Sequence, residues 1–276
     1  MEVNATMNNT RYKIGDVANL MGLSRDTLRH YEKRGILTSQ REENGYRYYT
    51  DQDISRLISI LYQRKMDIGL RDMETLWASE NSIDDLTAIM DSRLKEEEQT
   101  IRLHQQNIAR LQLTKTDCED IRRNLGQISL QDFPSAYIIV PHTSFSGSVE
   151  HWFQYSKRYP GLDMMYTFSE FSWSRTEDTI HTEHKNSQLV LYESLKDYVD
   201  YPITNNTPKT PRSMLCVTSC CACRSITPSP DDLLPMITWA EKQGFMVSQH
   251  FYSTYASHGR MDGLDTCFVK IFIPVF

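Results

Sequence analysis

Ser24-Arg25-Asp26-Thr27-Leu28-Arg29-His30-Tyr31-Glu32-Lys33-Arg34-Gly35 reads as one short helix. Ser24 is a favoured N-cap and Gly35 a favoured residue just past a helix end. Leu28 and Tyr31 lie three apart on one face, while Arg25, Thr27, Arg29, His30 and Lys33 fall on the rest of the surface. Upstream, Ile14, Val17, Ala18 and Met21 follow the helical period, and Gly22-Leu23 ends that run. Two short helices joined by a tight glycine turn form a helix-turn-helix, whose second helix is the one placed to enter a DNA major groove. Downstream, Ile36-Leu37 and Tyr46-Arg47-Tyr48-Tyr49 flank a polar loop ending in Asn44-Gly45, a strong hairpin signal. A hairpin directly after a recognition helix is a wing. Its arginine among three tyrosines suits contact with a phosphate backbone.

Four blocks in order carry a family resemblance: Ile14-Gly15-Asp16-Val17-Ala18, Leu28-Arg29-His30-Tyr31-Glu32, Gly35-Ile36-Leu37 and Tyr46-Arg47-Tyr48-Tyr49. Together they resemble the N-terminal domain of MerR-family transcription regulators over Tyr12 to Trp77. The next segment fits as well. Thr50-Asp51-Gln52-Asp53 reads as a capping box opening a helix to about Met66, with Ile54, Leu57, Ile58, Leu61 and Tyr62 on its apolar side. Leu70 to Trp77 reads as a further short helix. The resemblance implies that this pair forms a second wing, with Arg64 where the family places a basic phosphate contact. Asp67 stands where the family usually has Gly, but Asp tolerates a left-handed turn. The expected DNA contacts are Arg25, Thr27, Arg29, His30 and Tyr31 for bases and nearby backbone, and Arg47, Tyr48 and Arg64 for phosphates. Arg29 and Tyr31 compete with a core role, because one face of the helix must pack inward.

Apolar content of 39% is enough for a core, and the net charge of −6 divides unevenly. Arg11 to Trp77 holds 12 Lys/Arg and 10 Asp/Glu, or +2, so the remainder carries −8. That balance suits one DNA-binding end and one acidic end with another task. The apolar runs are too short to span a membrane, no signal peptide precedes Tyr12, and residues 1–11 read as a disordered N-terminus. Crowded cysteines without a secreted framework point to the cytoplasm.

From Ser82-Ile83-Asp84-Asp85 to Leu125 no Pro or Gly occurs, and Gly126 closes the stretch. Such a helix is roughly 65 Å long and cannot bury an apolar seam alone. Met90, Leu94, Ile101, Ile108, Leu111, Cys118 and Leu125 fit the a and d positions of one heptad frame, broken by Glu97, His104 and Lys115. A coiled coil follows. The resemblance implies an antiparallel pairing with a second copy, making a homodimer. The resulting organisation is α+β multidomain: a winged helix-turn-helix over 12–81, a coiled-coil dimerisation helix over 82–126 and an effector-binding domain over 127–276.

Beyond Ile128 strands mix with helices. Strands are expected at Ala136–Val140, Met164–Ser174, Gln188–Tyr192, Ser213–Ser219 and Cys267–Ile273, helices at Val149–Lys157 and from Pro230 through Gln243. Tyr198 to Arg212, with three prolines, reads as a loop. The repeated strand-helix-strands order and the closing Ile271-Phe272-Ile273-Pro274-Val275 resemble the gyrase-inhibitor-like ligand domain of the multidrug-sensing, BmrR-like branch of that family. The resemblance implies an aromatic cavity around a buried acid that takes lipophilic cations. Aromatic faces attract cations without fixing a hydrogen-bond pattern. Tyr137, Trp152, Tyr155, Tyr166, Phe168, Trp173, Tyr252 and Phe268 are the expected lining. The family's acid falls on Lys270 or Phe268, neither acidic, so Glu170 and Glu193 are the expected substitutes; an inward Lys270 would suit an anionic or neutral ligand instead.

Cys216-x3-Cys220-Cys221-x-Cys223 leaves open a metal or thiol-redox sensor. Alternation along a strand points Cys220 and Cys221 to opposite faces, so incidental thiols are the expectation, with no metal or other cofactor. No nucleophile elbow, Walker loop or zincin pair is present, so no enzyme is expected; a small-molecule hydrolase with a DNA-binding head is the remaining alternative. The resemblance implies double-stranded promoter DNA, RNA polymerase at the same promoter, a hydrophobic small-molecule effector and a second copy as partners. It also implies an activator that distorts an over-long −35/−10 spacer.

Overall fold

The structure, a computed structural model, describes residues 10–41, 45–176, 179–211 and 213–276. Most of the N-terminal tail expected to be disordered, Asn44 of the hairpin turn and Arg212 of the proline loop lie outside the described residues. The chain divides into two compact units, Met1–Glu98 and Gln99–Phe276.

In the first unit, β1 (Tyr12–Lys13) leads into α1 (Ile14–Met21) and α2 (Arg25–Lys33). Gly22 turns the chain with φ 65, and the Ser24 hydroxyl accepts from Thr27 N at 2.9 Å to start α2. The wing is narrower than the sequence suggests. Its strands are β2 (Gln40–Arg41) and β3 (Arg47–Tyr49), with β1 on the other side of β3. Ile36 and Leu37, expected as the first wing strand, are buried in the core with Val17, Leu28, Tyr31 and Tyr49. Two adjacent apolar side chains cannot both be buried by a strand with one solvent face, so they cap the core instead.

α3 (Asp51–Lys65) opens on the expected box. The Asp53 carboxylate accepts from Thr50 N and Thr50 Oγ1 at 2.8 and 2.7 Å, and also from Thr38 Oγ1 at 2.8 Å. Its inner face is Leu57 and Ile60; Ile58 and Tyr62, expected inside, are exposed. α4 (Leu70–Ala78) buries Met73 and Leu76. Asp67 turns the chain between them at φ 57, the left-handed conformation anticipated for it.

α5 runs from Ser82 to Asn124 without a break, and Gly126 follows at φ 67. The boundary between the two units falls inside this helix. Its later turns present a stripe to the second unit: Gln106, Ala109 and Ile121 are buried, and Leu113 packs on the adjoining core. Arg102 binds Asp200, Arg110 grips Asp163 at 2.6 and 2.7 Å, and Asp120 pairs with Lys270. The expected separation of a dimerisation helix, 82–126, from an effector domain, 127–276, is therefore redrawn. Residues 99–124 belong with the second unit. On the helix surface left over, Leu94, Ile101, Ile108 and Leu111 of the heptad seam stay more than half exposed.

The second unit is one antiparallel seven-stranded sheet in the order β4-β8-β10-β9-β6-β7-β5. The strands are β4 (Ser129–Asp132), β5 (Ala136–Thr143), β6 (Tyr166–Arg175), β7 (Ile180–Tyr192), β8 (Leu215–Cys223), β9 (His250–Met261) and β10 (Leu264–Pro274). β4 and β9 were not expected, and β7 begins eight residues before its apolar end. α7 (Pro230–Lys242) covers one part of the sheet through Leu233, Met236, Ile237 and Ala240, packed on Phe251, Val269, Ile271 and Ile273. α6 (Phe145–Arg158) starts at the Ser144 cap, four residues earlier than expected. The sheet cores are built by the alternation anticipated along β10: Val269, Ile271 and Ile273 join the α7 core, whereas Phe272 joins Phe133, Tyr166 and Phe168.

Candidate nucleic-acid interface and ligand cavity

The first unit presents α2 beside the wing. Arg25, Arg29, His30 and Lys33 are exposed on α2. The Arg25 guanidinium lies against Gly15, where an added Cβ would stand 3.0 Å from Nη2. A glycine at that point of α1 lets the arginine lie flat over the preceding helix. Thr27 is half-buried beside the Ser24 cap, with Oγ1 2.8 Å from the cap hydroxyl. Arg29 is held by Asp26 at 2.9 Å. Tyr31 is 7% exposed within the core, which removes it from the contact face. Leu28 and Tyr31 supply the apolar stripe that α2 needs to pack at all, so the inward role wins.

One carboxylate fixes the wing to the helix. Glu32 Oε1 accepts from the buried Tyr49 hydroxyl at 2.7 Å, and Glu32 Oε2 pairs with Arg47 Nε at 3.0 Å. Burial and the neighbouring carboxylate both push the Tyr49 phenol well above the usual tyrosine range, so it stays a donor. Tyr48 donates to Gln40 across the hairpin, with Arg11 stacked over its ring at 4.8 Å. Arg41 is exposed and sits opposite Arg47 in the β2–β3 register. Sequence reasoning missed Arg41 because the first wing strand was placed at Ile36-Leu37. Arg64 turns back to donate to the Ile68 carbonyl at 2.9 Å, so it braces the α3–α4 turn. Arg34 bridges to Glu74 of α4, Nη2 to Oε2 at 3.0 Å, and the hydrogen bond holds that carboxyl below its ordinary range.

The second unit contains a cavity of about 450 Å³. Its walls come from α5 (Leu113, Thr114, Asp117), α6 (Phe145, Val149, Trp152), the turn before β6 (Asp163, Met164, Met165), the start of β6 (Tyr166, Thr167, Ser169) and β9 (Ser253, Tyr255, Ala256), with Ile226 completing it. A volume of this size suits a drug-sized molecule. Trp152 and Tyr166 are the expected lining residues found there. The other expected ligand contacts lie elsewhere, each for a visible packing reason. Tyr137 is in the core beneath the Lys209 ammonium, and Phe168 packs with Phe133 and Phe272. Tyr252 packs on Phe133. Tyr155 packs against Tyr159 and Tyr201. Trp173 donates its indole N–H to the Ser248 carbonyl at 2.7 Å. Phe268 is half-buried beside Gly259.

None of the expected charges lines the cavity; Glu193 pairs with Lys209. Glu170 accepts from Asn186 Nδ2 at 2.7 Å and lies 3.1 Å from His250 Nδ1. Lys270 is neutralised by Asp120 of α5. The acid present instead is Asp117, hydrogen-bonded by the Tyr166 hydroxyl. Burial, the largest effect, raises its carboxyl above the ordinary range against the lowering influence of Tyr166 and Lys270. Asp163, also on the wall, is held below its ordinary range by the two-pronged bond from Arg110. Asp117 was missed because its helix was read only as a dimer seam. The spacing Gln106, Ala109, Leu113, Asp117 was the available signal for a second buried stripe.

The cysteines lie along β8. Cys216, Cys220 and Cys223 are buried and Cys221 is half-buried. Desolvation pushes Cys216 and Cys220 up to about 12 and Cys221 up to about 11, so they are thiols at neutral pH. Among the described residues, no three His, Cys, Asp or Glu side chains converge as a metal site. None of the described helices is long and apolar enough to cross a membrane.

Residues 12–80 match the family described as MerR HTH family regulatory protein. The mercuric resistance operon regulatory protein of Bacillus cereus is 29% identical over 114 residues, 41% of this chain and 76% of that one. The transcriptional regulator ZntR of Escherichia coli K12 is 35% identical over 66 residues, 24% of this chain and 47% of its own length. The chain thus spans about half of ZntR. Among solved structures, EcmrR in its DNA complex within EcmrR-RPo is similar over 96% of this chain and 99% of that chain, with 17% identity and a TM-score of 0.34. Residues 12–80 are thus similar to the helix-turn-helix domain of MerR-family regulatory proteins.

Proposed function

We propose that the chain is a ligand-responsive, DNA-binding transcription regulator of the BmrR-like kind, acting as a homodimer. The carrying observation is that α5 has both an exposed apolar stripe and one wall of a cavity. It leaves Leu94, Ile101, Ile108 and Leu111 open as a seam for a second copy, and it forms one wall of a drug-sized cavity. A hydrophobic small molecule in that cavity touches α5, whose first turns belong to the first unit. A ligand shifts such an equilibrium only by binding one arrangement more tightly than the other. With two heads held at fixed separation, the operator is a pseudo-palindrome. Arg25, Thr27, Arg29 and His30 read or flank the bases, while Arg41, Arg47 and Tyr48 hold phosphates and Arg64 shapes the second wing.

Phosphate contacts release counterions and carry no sequence information. Arg47→Ala should therefore weaken binding to specific and unrelated DNA alike, and lower the slope of log affinity against log salt by about 1. Loss confined to the operator, with an unchanged slope, would place Arg47 outside the phosphate contacts. The activation mode is read from in vitro transcription. If the dimer works by distorting an over-long spacer, deleting base pairs to ordinary promoter length makes transcription independent of the protein or repressed by it. A shortened promoter that still needs protein and ligand would point to recruitment of polymerase instead.

A further inference from the structure

Two cysteines on different strands stand opposite one another at the end of a ladder. Cys223 and Cys267 are register partners, the end pair joining β8 to β10. Directly opposed residues of an antiparallel pair point to the same face, with Cα atoms about 4.5–5.5 Å apart. A disulfide needs Cα atoms about 4.4–6.8 Å apart, so the pair meets that requirement with little movement of either strand. Both side chains lie against the α7 core. Cys221, two residues earlier on the same face, is opposite Val269 and reaches Cys267 only diagonally. On the other side of Cys267 is its β9 register partner His258, with Nδ1 3.8 Å from the Cys267 sulfur. The row runs from the buried Cys223 through the half-buried Cys267 to the exposed His258. None of the three lines the cavity.

We propose that Cys267 and Cys223 form an oxidation site, which hydrogen peroxide converts reversibly into a cross-strand disulfide. Cys267 reacts first because solvent reaches it, whereas burial pushes the Cys223 thiol well above the usual cysteine range. With its proton passing to the His258 imidazole, the Cys267 sulfur attacks one peroxide oxygen. The O–O bond breaks, and the other oxygen leaves as hydroxide, which takes up that proton and becomes water. Cys267 is left as a sulfenic acid. The Cys223 sulfur then attacks the Cys267 sulfur. The S–O bond breaks, and the departing hydroxide carries off the Cys223 proton, held until then toward Asp232 Oδ2 at 3.6 Å, as a second water. Two thiols are thereby oxidised to one disulfide, and the peroxide is reduced to water. A small thiol reductant reverses the step by exchange.

The full chain, reduced and then freed of reductant, is exposed to hydrogen peroxide, its remaining thiols are alkylated, and tryptic peptides are read by mass spectrometry. The expected product is residues 213–224 joined to residues 261–270, lighter by the two thiol hydrogens and released by dithiothreitol. Cys221→Ser should leave the link intact, and Cys223→Ser should abolish it. Because Cys223 belongs to the core, Cys267→Ser supplies a second removal at a half-buried position; it should also abolish the link and leave the β8 thiols open to alkylation. A link that survives Cys223→Ser overturns the proposal, as does a wild-type chain in which Cys267 stays reduced or is driven on to sulfinic acid with no link formed.

A second measurement needs no variant. The bond closes a loop that holds α7 and β9, which restricts the unfolded chain. It also ties β8 to β10 close to the end of α5, where Gly126 N donates to the Cys220 carbonyl at 2.9 Å. The oxidised chain should therefore melt at a higher temperature than the reduced chain, and dithiothreitol should return it to the lower one. An oxidised chain that melts lower would mean that the strands must distort to make the bond, which overturns the proposal.

Discussion

Ile101→Asp combined with Ile108→Asp is expected to leave the chain folded and monomeric. Both side chains are more than half exposed on one chain, so the substitutions remove no packing within it. In the proposed pair they are buried. Each isoleucine withdrawn from water contributes about 1.5–3 kcal/mol, and a symmetric pair loses four of them. An aspartate in their place adds an unpaired buried charge. The dissociation constant should rise by more than about 10⁴, which places the variant in the monomeric state at micromolar concentration. Sedimentation equilibrium reads this directly, and operator binding should fall with it, because one head reads one half-site. Leucine at both positions should leave the dimer intact. A variant that sediments as a dimer would show that the seam is not the interface.

Gly161→Ala is expected to destabilise the second unit by about 3 kcal/mol or more. Gly161 has φ 90, a conformation costing an alanine about 1–3 kcal/mol. An added Cβ would also stand 2.4 Å from the Tyr198 carbonyl oxygen and 3.0 Å from Val199 Cα. Both are backbone atoms and cannot rotate away. The segment that must move includes Asp200, which binds Arg102 of α5. Calorimetry should show a fall of about 6–12 °C in melting temperature. Gly161→Asn separates the two causes. Asparagine tolerates a left-handed backbone, so a loss as large as that of alanine assigns the cost to the close approach. A fall below about 2 °C for alanine would mean that the 193–200 segment yields freely.

The head was legible because its signals are local. Ser24, Thr50 with Asp53, and Gly22 fix helix ends within a few residues, and each stands where it was read. The wing strand and the inner face of α3 were misplaced where local pattern competes with burial: Ile36-Leu37 look like a strand, and Ile58 and Tyr62 look like core. In the second unit, β9 escaped because His250-Phe251-Tyr252-Ser253-Thr254-Tyr255 alternates poorly around a bulge near Ala256. Asp262-Gly263, at φ 51 and 79, was the overlooked hairpin turn that joins β9 to β10. The cavity was least legible. Aromatic content marked Trp152 and Tyr166, but most aromatics of this unit hold the sheet together. A cavity is a surplus of space among distant elements, and no short stretch encodes it. The helix stripe containing Asp117 was hidden because one segment carries two periodic patterns on different faces.

The position of the unit boundary inside α5 has a practical consequence for dissecting this protein. A fragment beginning at residue 127 would retain every strand of the large sheet, yet it would lose Ala109, Leu113, Asp117 and Ile121. Its cavity would open along one side, and the apolar surface around Leu162, Met164 and Tyr166 would face solvent. Lys270 and Asp163 would lose the groups that balance their charge. Such a piece would be sticky and would bind ligands weakly or not at all. A fragment starting at Gln99 keeps the wall, the two ion pairs and the cap at Gly126. Ligand screens on the isolated sensor portion therefore depend on carrying about seven helical turns that a division at the end of the helix would discard.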